Sequence, residues 1–505
     1  MADKDSKVRQ MDNQTNSYVE GLSRSQTFLL PKTIEEYVAP DNPVRFIDAY
    51  VNTLDMEKLG FTHSTPQDLG RPAYNPKDLC KLYLYGGLNH IRSSRKLERE
   101  CKTNLEAMWL LKGLAPDFKT IADFRKDNPA ALGALFKEFV AFLKDLSLYG
   151  ARQVTVDGTK LRAVNSNDKA FTQRALAKRI KVMEKSVKHY LDELDAADEQ
   201  EASDEQQASS ESGEEAKAFE VDKLAALLEK KQKSEEILDK MEKSGQKEVA
   251  LTDPDCRQMM NHGRVESCYN MQAAVDSKNH LIVNYLVTNE ASDLNQLSGV
   301  AISAKETLDV EQIDCVSDKG YFDFMQIKQC VDNGVTPYVA VKRSGSGGSI
   351  VSPEFTADKF CYDKGADAYV CPAGQRLYFH CCKVQDGMDK RIYKCLKGVC
   401  VSCQFFMTKC TSNKIGRLIW RWVHEEVVDD MRKRVKSHPE VMDERKKVVE
   451  HTFGTLKRAF GAPYLLLRGL RKVCGEVGLL LFSYNLRRAL NILGVQALIG
   501  ALVKK

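Results

Sequence analysis

The chain has 505 residues, a formal net charge of +5, and 43% hydrophobic and 29% charged residues. That is too long for one hydrophobic core and too rich in apolar residues for a disordered chain, so two to four globular domains are expected. No run of ~20 apolar residues occurs, and the nearest candidate, "GLLLFSYNLRRALNILG", is interrupted by Arg487 and Arg488, which argues against a membrane span.

Residues 1–27 are polar with no apolar h-region, and are expected to form a disordered tail without a signal peptide. From 28 to 150 the apolar spacing is helical. Asn75-Pro76 opens one helix, with Asn as N-cap and Pro at the first helical position. The expectation is an all-helical N-terminal domain that either binds DNA or dimerises. At 151 the texture changes: "RQVTVDGTKLRAVNS" alternates, a strand that delivers Asp157 to a Gly turn.

Residues 168–249 are charged and helical, with an acidic stretch at 197–215 that lacks any basic residue. This predicts a helical-hairpin insertion with a disordered acidic tip. Strand character returns at 269–289 as a hairpin turned at Ser277–Asn279. Next comes a strand ending at Asp318, a helix capped by Asp323 with Gln326 three residues on, and the strand "TPYVAVKR". Alternation of strands and helices gives an α/β class with a mixed sheet.

Asp157 and Asp318 each fall at or just past the end of an apolar strand, beside a glycine, where α/β sheets gather their chemistry. Seen alone, such an Asp is usually a turn former. A third acid, Glu450, lies in "VVEHTFGTLKRAFG", whose Val449, Phe453, Leu456 and Phe460 make a helical stripe, with Lys457 seven residues on along the same line. Three converging carboxylates need a cation, and an all-oxygen set suits Mg²⁺ or Mn²⁺. Of the remaining acids, Asp276 reads mainly as a hairpin residue, Asp293 as a helix cap, and His451 as a packing residue.

Residues 344–417 form a Cys-rich insertion. Fifteen cysteines, an odd number, without an export signal argue for reduced thiols or metal ligands rather than disulfides, and for a cytoplasmic protein. Cys400-x-x-Cys403, with Cys371 and Cys395 or Cys410, fits four zinc thiolates; free thiols are the equal alternative. From 432 to 472 the chain holds twelve Lys and Arg against four acids, which suits a polyanion partner.

"VDGTKLRAVNS", "SDKGYFD" and "VEHTFGTLKRAFG" resemble the three acid-bearing motifs of DDE transposases of bacterial insertion sequences, and "PDFKTIADFRKDN" resembles the helical domain that precedes catalysis in that group. The resemblance implies a ribonuclease-H-like catalytic domain over 151–167, 250–343 and 418–495. It further implies two Mg²⁺ or Mn²⁺ ions on Asp157, Asp318 and Glu450, and Lys457 contacting the DNA end. Arg458, Arg445 and Lys446 are expected on DNA as well. The family's tyrosine before the glutamate is missing, and Arg445 is offset by one residue, with Lys446 in its expected place. The implied activity is phosphodiester hydrolysis and strand transfer at terminal inverted repeats. The implied partners are double-stranded DNA and a second copy of the chain, in the nucleoid of a prokaryote. The alternatives are a nuclease of the same fold without strand transfer and a non-catalytic DNA-binding scaffold.

Overall fold

The computed structural model describes residues 33–65, 72–203, 211–341, 351–458 and 464–503. The expected N-terminal tail and Phe460 of the apolar stripe lie outside these residues.

Six helices come first: α1 (Pro43–Thr53), α2 (Pro76–Leu88), α3 (Ser94–Thr103), α4 (Leu105–Leu110), α5 (Phe118–Asp127) and α6 (Pro129–Asp145). Their starts are set by local chemistry. Asn42 and Asn75 accept bonds from Val44 N–H and Lys77 N–H, and Pro43 and Pro76 follow at the first helical position.

The chain then enters β1 (Gln153–Arg162) and leaves through a short pair, β2 (Ala170–Thr172) and β3 (Glu248–Ala250), that holds the base of a long hairpin, α7 (Gln173–Ser203) and α8 (Glu211–Ser244). Leu176, Ile180, Met183 and Met241 make the hairpin's own small core. The acidic stretch 197–215 is helical up to Ser203 and again from Glu211, and residues 204–210 of the expected disordered tip lie outside the described residues. Ala, Glu and Gln are strong helix formers, so the arms propagate further than their charge suggested.

β4 (Arg257–Asn261) and β5 (Arg264–Asp276) form a hairpin that the sequence did not announce, and β6 (Ile282–Thr288) follows. After α9 (Leu297–Leu308) come β7 (Ile313–Ser317), α10 (Phe324–Asp332) and β8 (Val335–Val339). Asp323 caps α10, accepting from Gln326 N–H at 3.0 Å. The six strands pair in the order β4-β5-β1-β7-β8, with β6 also on β5. β5 runs antiparallel to β1, β4 and β6, whereas β1, β7 and β8 are parallel. Cys268 to Asp276 are buried without alternation, as in a strand covered on both faces. Asp276 itself is fully buried: its carboxylate accepts from Gly150, Ala151 and Lys278 N–H, which fixes the entry into β1.

A second, antiparallel sheet follows: β9 (Cys361–Asp363), β10 (Ala368–Val370), β11 (Arg376–Gln385), β12 (Met388–Lys394) and β13 (Leu418–Trp422), in the order β13-β12-β11-β10-β9. The insertion therefore extends to Trp422 rather than ending at 417, because β13 pairs with β12 from Leu418 onward. The chain closes with α11 (Glu425–Ser437), α12 (Pro439–Arg458), α13 (Leu470–Leu493) and α14 (Val495–Val503). No single helix among the described residues is long and apolar enough to cross a membrane.

α13 ties the two ends of the chain together. It packs on α6, α2 and β6, and Phe482 stacks on Phe139 with ring centroids 4.3 Å apart. Gly475 allows the close approach: a Cβ there would stand 2.5 Å from Pro129 Cα.

Candidate active site

β1 and β7 are paired in parallel through Gln153↔Asp314, Val154↔Cys315 and Thr155↔Val316. Carried two residues further, that register sets Asp157 level with Asp318. Asp157 is not at the end of its strand, as expected, but in its middle, because β1 keeps its antiparallel partner β5 as far as Arg162. β7 stops at Ser317, so the sheet opens beside Asp157 just where Asp318 leaves it.

Each carboxylate is oriented by the glycine that follows it. Asp157 Oδ1 accepts from Gly158 N–H at 2.7 Å, and Asp318 Oδ1 accepts from Gly320 N–H at 2.6 Å. Gly158 is also required by packing, since a Cβ there would lie 2.4 Å from Gln272 Nε2. Burial pushes the Asp157 carboxyl up to about 6. The Gly158 N–H and Arg445 pull it down, while Asp318 and Asp293 push it further up.

Arg445 was expected on DNA. Its Nη1 donates to Asp157 Oδ2 at 3.3 Å, while its buried Nε finds no partner. Asp293 is no helix cap, since Gln296 holds the N-cap of α9. Asp293 accepts from Lys160 Nζ at 3.0 Å and from Asn270 Nδ2 and Gln272 Nε2 at 2.7 Å each. Gln272 in turn accepts from Tyr321 OH, which anchors the turn that carries Asp318. The sequence did hold a signal for this network: Asn270 and Gln272 are polar, two apart, in the otherwise apolar stretch 268–275 of β5, and so share one face.

α12 packs on β1 and β7 through Val448, Thr452, Phe453 and Leu456, all buried, with Val449 half-buried. Glu450 sits on this helix but is exposed. Lys457 is half-buried, with its Nζ 3.4 Å from His262 Nε2 in the β4–β5 turn, and burial lowers its pKa. Lys446 pairs with Asp443 at 3.1 Å on the surface, and the Arg458 side chain lies outside the described residues. His451 packs its ring 5.5 Å from that of His280. The structure thus brings Asp157 and Asp318 together and carries Glu450 on a helix packed against both of their strands. Among the described residues no three His, Cys, Asp or Glu side chains already stand as a metal-ligand set.

Three family profiles match the chain. One, described as a transposase domain (DUF772), covers residues 32–127; two, each described as a transposase DDE domain, cover 239–360 and 370–490. Among solved structures, a cryo-EM structure of piggyBac transposase synaptic complex with hairpin DNA is similar at 10% identity. That match covers 91% of this chain and 75% of that chain with a TM-score of 0.26, too low to carry an argument. Curated proteins give no match.

Proposed function

This chain belongs to the DDE transposases of insertion-sequence type, and on that premise we propose that it cuts and joins DNA at the terminal inverted repeats of an insertion sequence, using Asp157, Asp318 and Glu450. The observation that carries this reading is the parallel register that sets Asp157 level with Asp318 where β7 ends. The sheet is read as ribonuclease-H-like. Its antiparallel arm, β6 and β5 on β1, and its parallel arm, β1 to β8, support that assignment.

The donor chemistry fits a hard divalent ion. Two carboxylates are crowded together, one of them driven up to about 6 by burial, and such a pair of oxygen donors favours a cation between them. Asp157 and Asp318 would hold Mg²⁺ or Mn²⁺, with Glu450 as the third carboxylate. The ions supply charge neutralisation at the attacking and leaving oxygens of an in-line displacement.

The chain's own residues do the rest. Gly158 and Gly320 N–H hold one oxygen of each aspartate, while Arg445 meets the second oxygen of Asp157. Lys457, Arg458 and Lys446 bind phosphates of the DNA end. In the first step the water oxygen bonds to phosphorus and gives up a proton, and the P–O3′ bond breaks. The element's 3′ oxygen leaves and takes a proton as the 3′-OH, while the 5′-phosphate stays on the flanking strand. In the second, that 3′ oxygen bonds to a target phosphorus and the target's own 3′ oxygen leaves with a proton. Two ends must react together, so a dimer on DNA is part of the proposal.

The test mixes the protein with DNA carrying the element's own ends and Mn²⁺. Joined products support the proposal. Cleavage without joining would leave a nuclease, and binding alone would leave a scaffold.

A further inference from the structure

Five cysteines from separate stretches of the insertion meet around one cavity. Cys371 lies in the β10–β11 turn, Cys395 directly after β12, Cys400 and Cys403 in the following turns, and Cys410 ahead of β13. The cavity they line measures about 20 Å³, the room of a single water-sized sphere. Cys395 bonds side chain to side chain with Cys400 and also neighbours Cys371 and Cys410, while Cys410 neighbours Cys400, Cys371 and Cys403. Cys403, which the C-x-x-C spacing singled out, lines the same cavity and neighbours Cys410.

Two backbone features are built around these sulfurs. The turn Cys371-Pro372-Ala373-Gly374-Gln375 closes with Gly374 at φ 76° and donates the Gln375 N–H to Cys371 Sγ at 3.2 Å. A donor aimed at a sulfur from a tight turn orients it as a ligand. On the other side, Gly416, at φ 101°, passes so close to Cys400 that a Cβ would lie 2.9 Å from its Cβ and 3.3 Å from its Sγ. The sheet also needs a staple, since its apolar core is only Phe360, Tyr369, Leu377, Tyr393, Cys395 and Ile419.

We propose that Cys371, Cys395, Cys400 and Cys410 bind one structural Zn²⁺ as four thiolates, with Cys403 left as a free thiol beside the site. Four soft sulfur donors around a one-atom cavity select a tetrahedral, closed zinc site. As placed, the sulfurs do not yet form a ligand set, so they close on the ion by side-chain rotation. The ion joins the β10–β11 turn, the end of β12 and the segment entering β13, so it would hold the sheet without touching Asp157 or Asp318.

The test is metal analysis of the full-length chain purified without chelator, with cobalt exchange as a second readout. The expected result is about one zinc per chain and a thiolate-to-cobalt absorption band after exchange. Cys371→Ser and Cys410→Ser should each lose most of the zinc, whereas Cys403→Ser and the exposed Cys361→Ser keep it. The wild-type measurement stands even if a ligand variant misfolds. A wild-type chain without zinc overturns the proposal, as does a mass two hydrogens lighter per cysteine pair, which would mean a disulfide. Zinc lost in Cys403→Ser but kept in Cys395→Ser overturns the assignment of the four ligands.

Discussion

Asp157 and Arg445 stand 288 residues apart in the chain, yet the Arg445 guanidinium reaches the Asp157 carboxylate at 3.3 Å. α12 thus brings a cation to the acid on the central strand, while Glu450 on the same helix remains exposed. The pair accounts for how a largely buried carboxylate beside a second acid is tolerated.

Asp157 is raised to about 6 chiefly by burial. Compared with the unfolded chain, the folded state therefore holds an extra proton between roughly pH 4 and 6. Folding stability falls as pH rises through that window, and the ionised group is a cost at neutral pH. In EDTA, Asp157→Asn should melt a few degrees higher than wild type at pH 7.5, for a gain of about 2 kcal/mol. The gain should vanish near pH 4, and cleavage should be lost at every pH. Equal melting temperatures at pH 7.5 would refute the buried, costly carboxylate.

Arg445→Gln removes the cation that competes for Asp157 Oδ2. Titration calorimetry at pH 8 should show Mn²⁺ binding tightened by about threefold to tenfold. Weakened binding would mean that Arg445 positions Asp157 rather than competing with the ion.

Glu450 and Lys457 share a line on α12 and should separate functionally. Glu450→Gln should leave melting unchanged, since the side chain is exposed. Cleavage and joining should fall by about 100-fold or more, with DNA-end binding in Ca²⁺ retained. Lys457→Ala should weaken binding and flatten the salt slope by about one unit. Normal cutting by a folded Glu450→Gln would reduce Glu450 to a solvated helix face.

Glu476 on α13 is 5% exposed and accepts from Leu466 N–H and Leu467 N–H, while Arg92 pairs with it at 2.8 Å. Glu476→Gln removes the charge that the half-buried Arg92 guanidinium pairs with and should cost about 2 kcal/mol in urea unfolding. A loss below about 0.5 kcal/mol would show that the α13 contact does not depend on this ion pair.

The sequence alone determined whatever is written in neighbouring residues. Asn42-Pro43 and Asn75-Pro76 start helices because cap and proline act within one turn. Asp318 with Gly320 marks its turn because a carboxylate reaches a nearby N–H group, whereas Asp157-Gly158 stays within β1. The apolar spacing of 448–456 fixes which face of α12 is buried. Tertiary structure decided what depends on packing across hundreds of residues. The β1–β7 register places two distant aspartates level, and Arg445 rather than Lys446 finds Asp157, since on a helix one residue turns a side chain by about 100°. Asp293 is drawn into the Asn270–Gln272 network, and five cysteines from separate stretches meet around one cavity. β13 joins the inserted sheet, and α13 binds the N-terminal helices to β6. Apart from the polar Asn270 and Gln272, two apart on one face of β5, these contacts have no local signature, because each is selected by the burial of both partners at once.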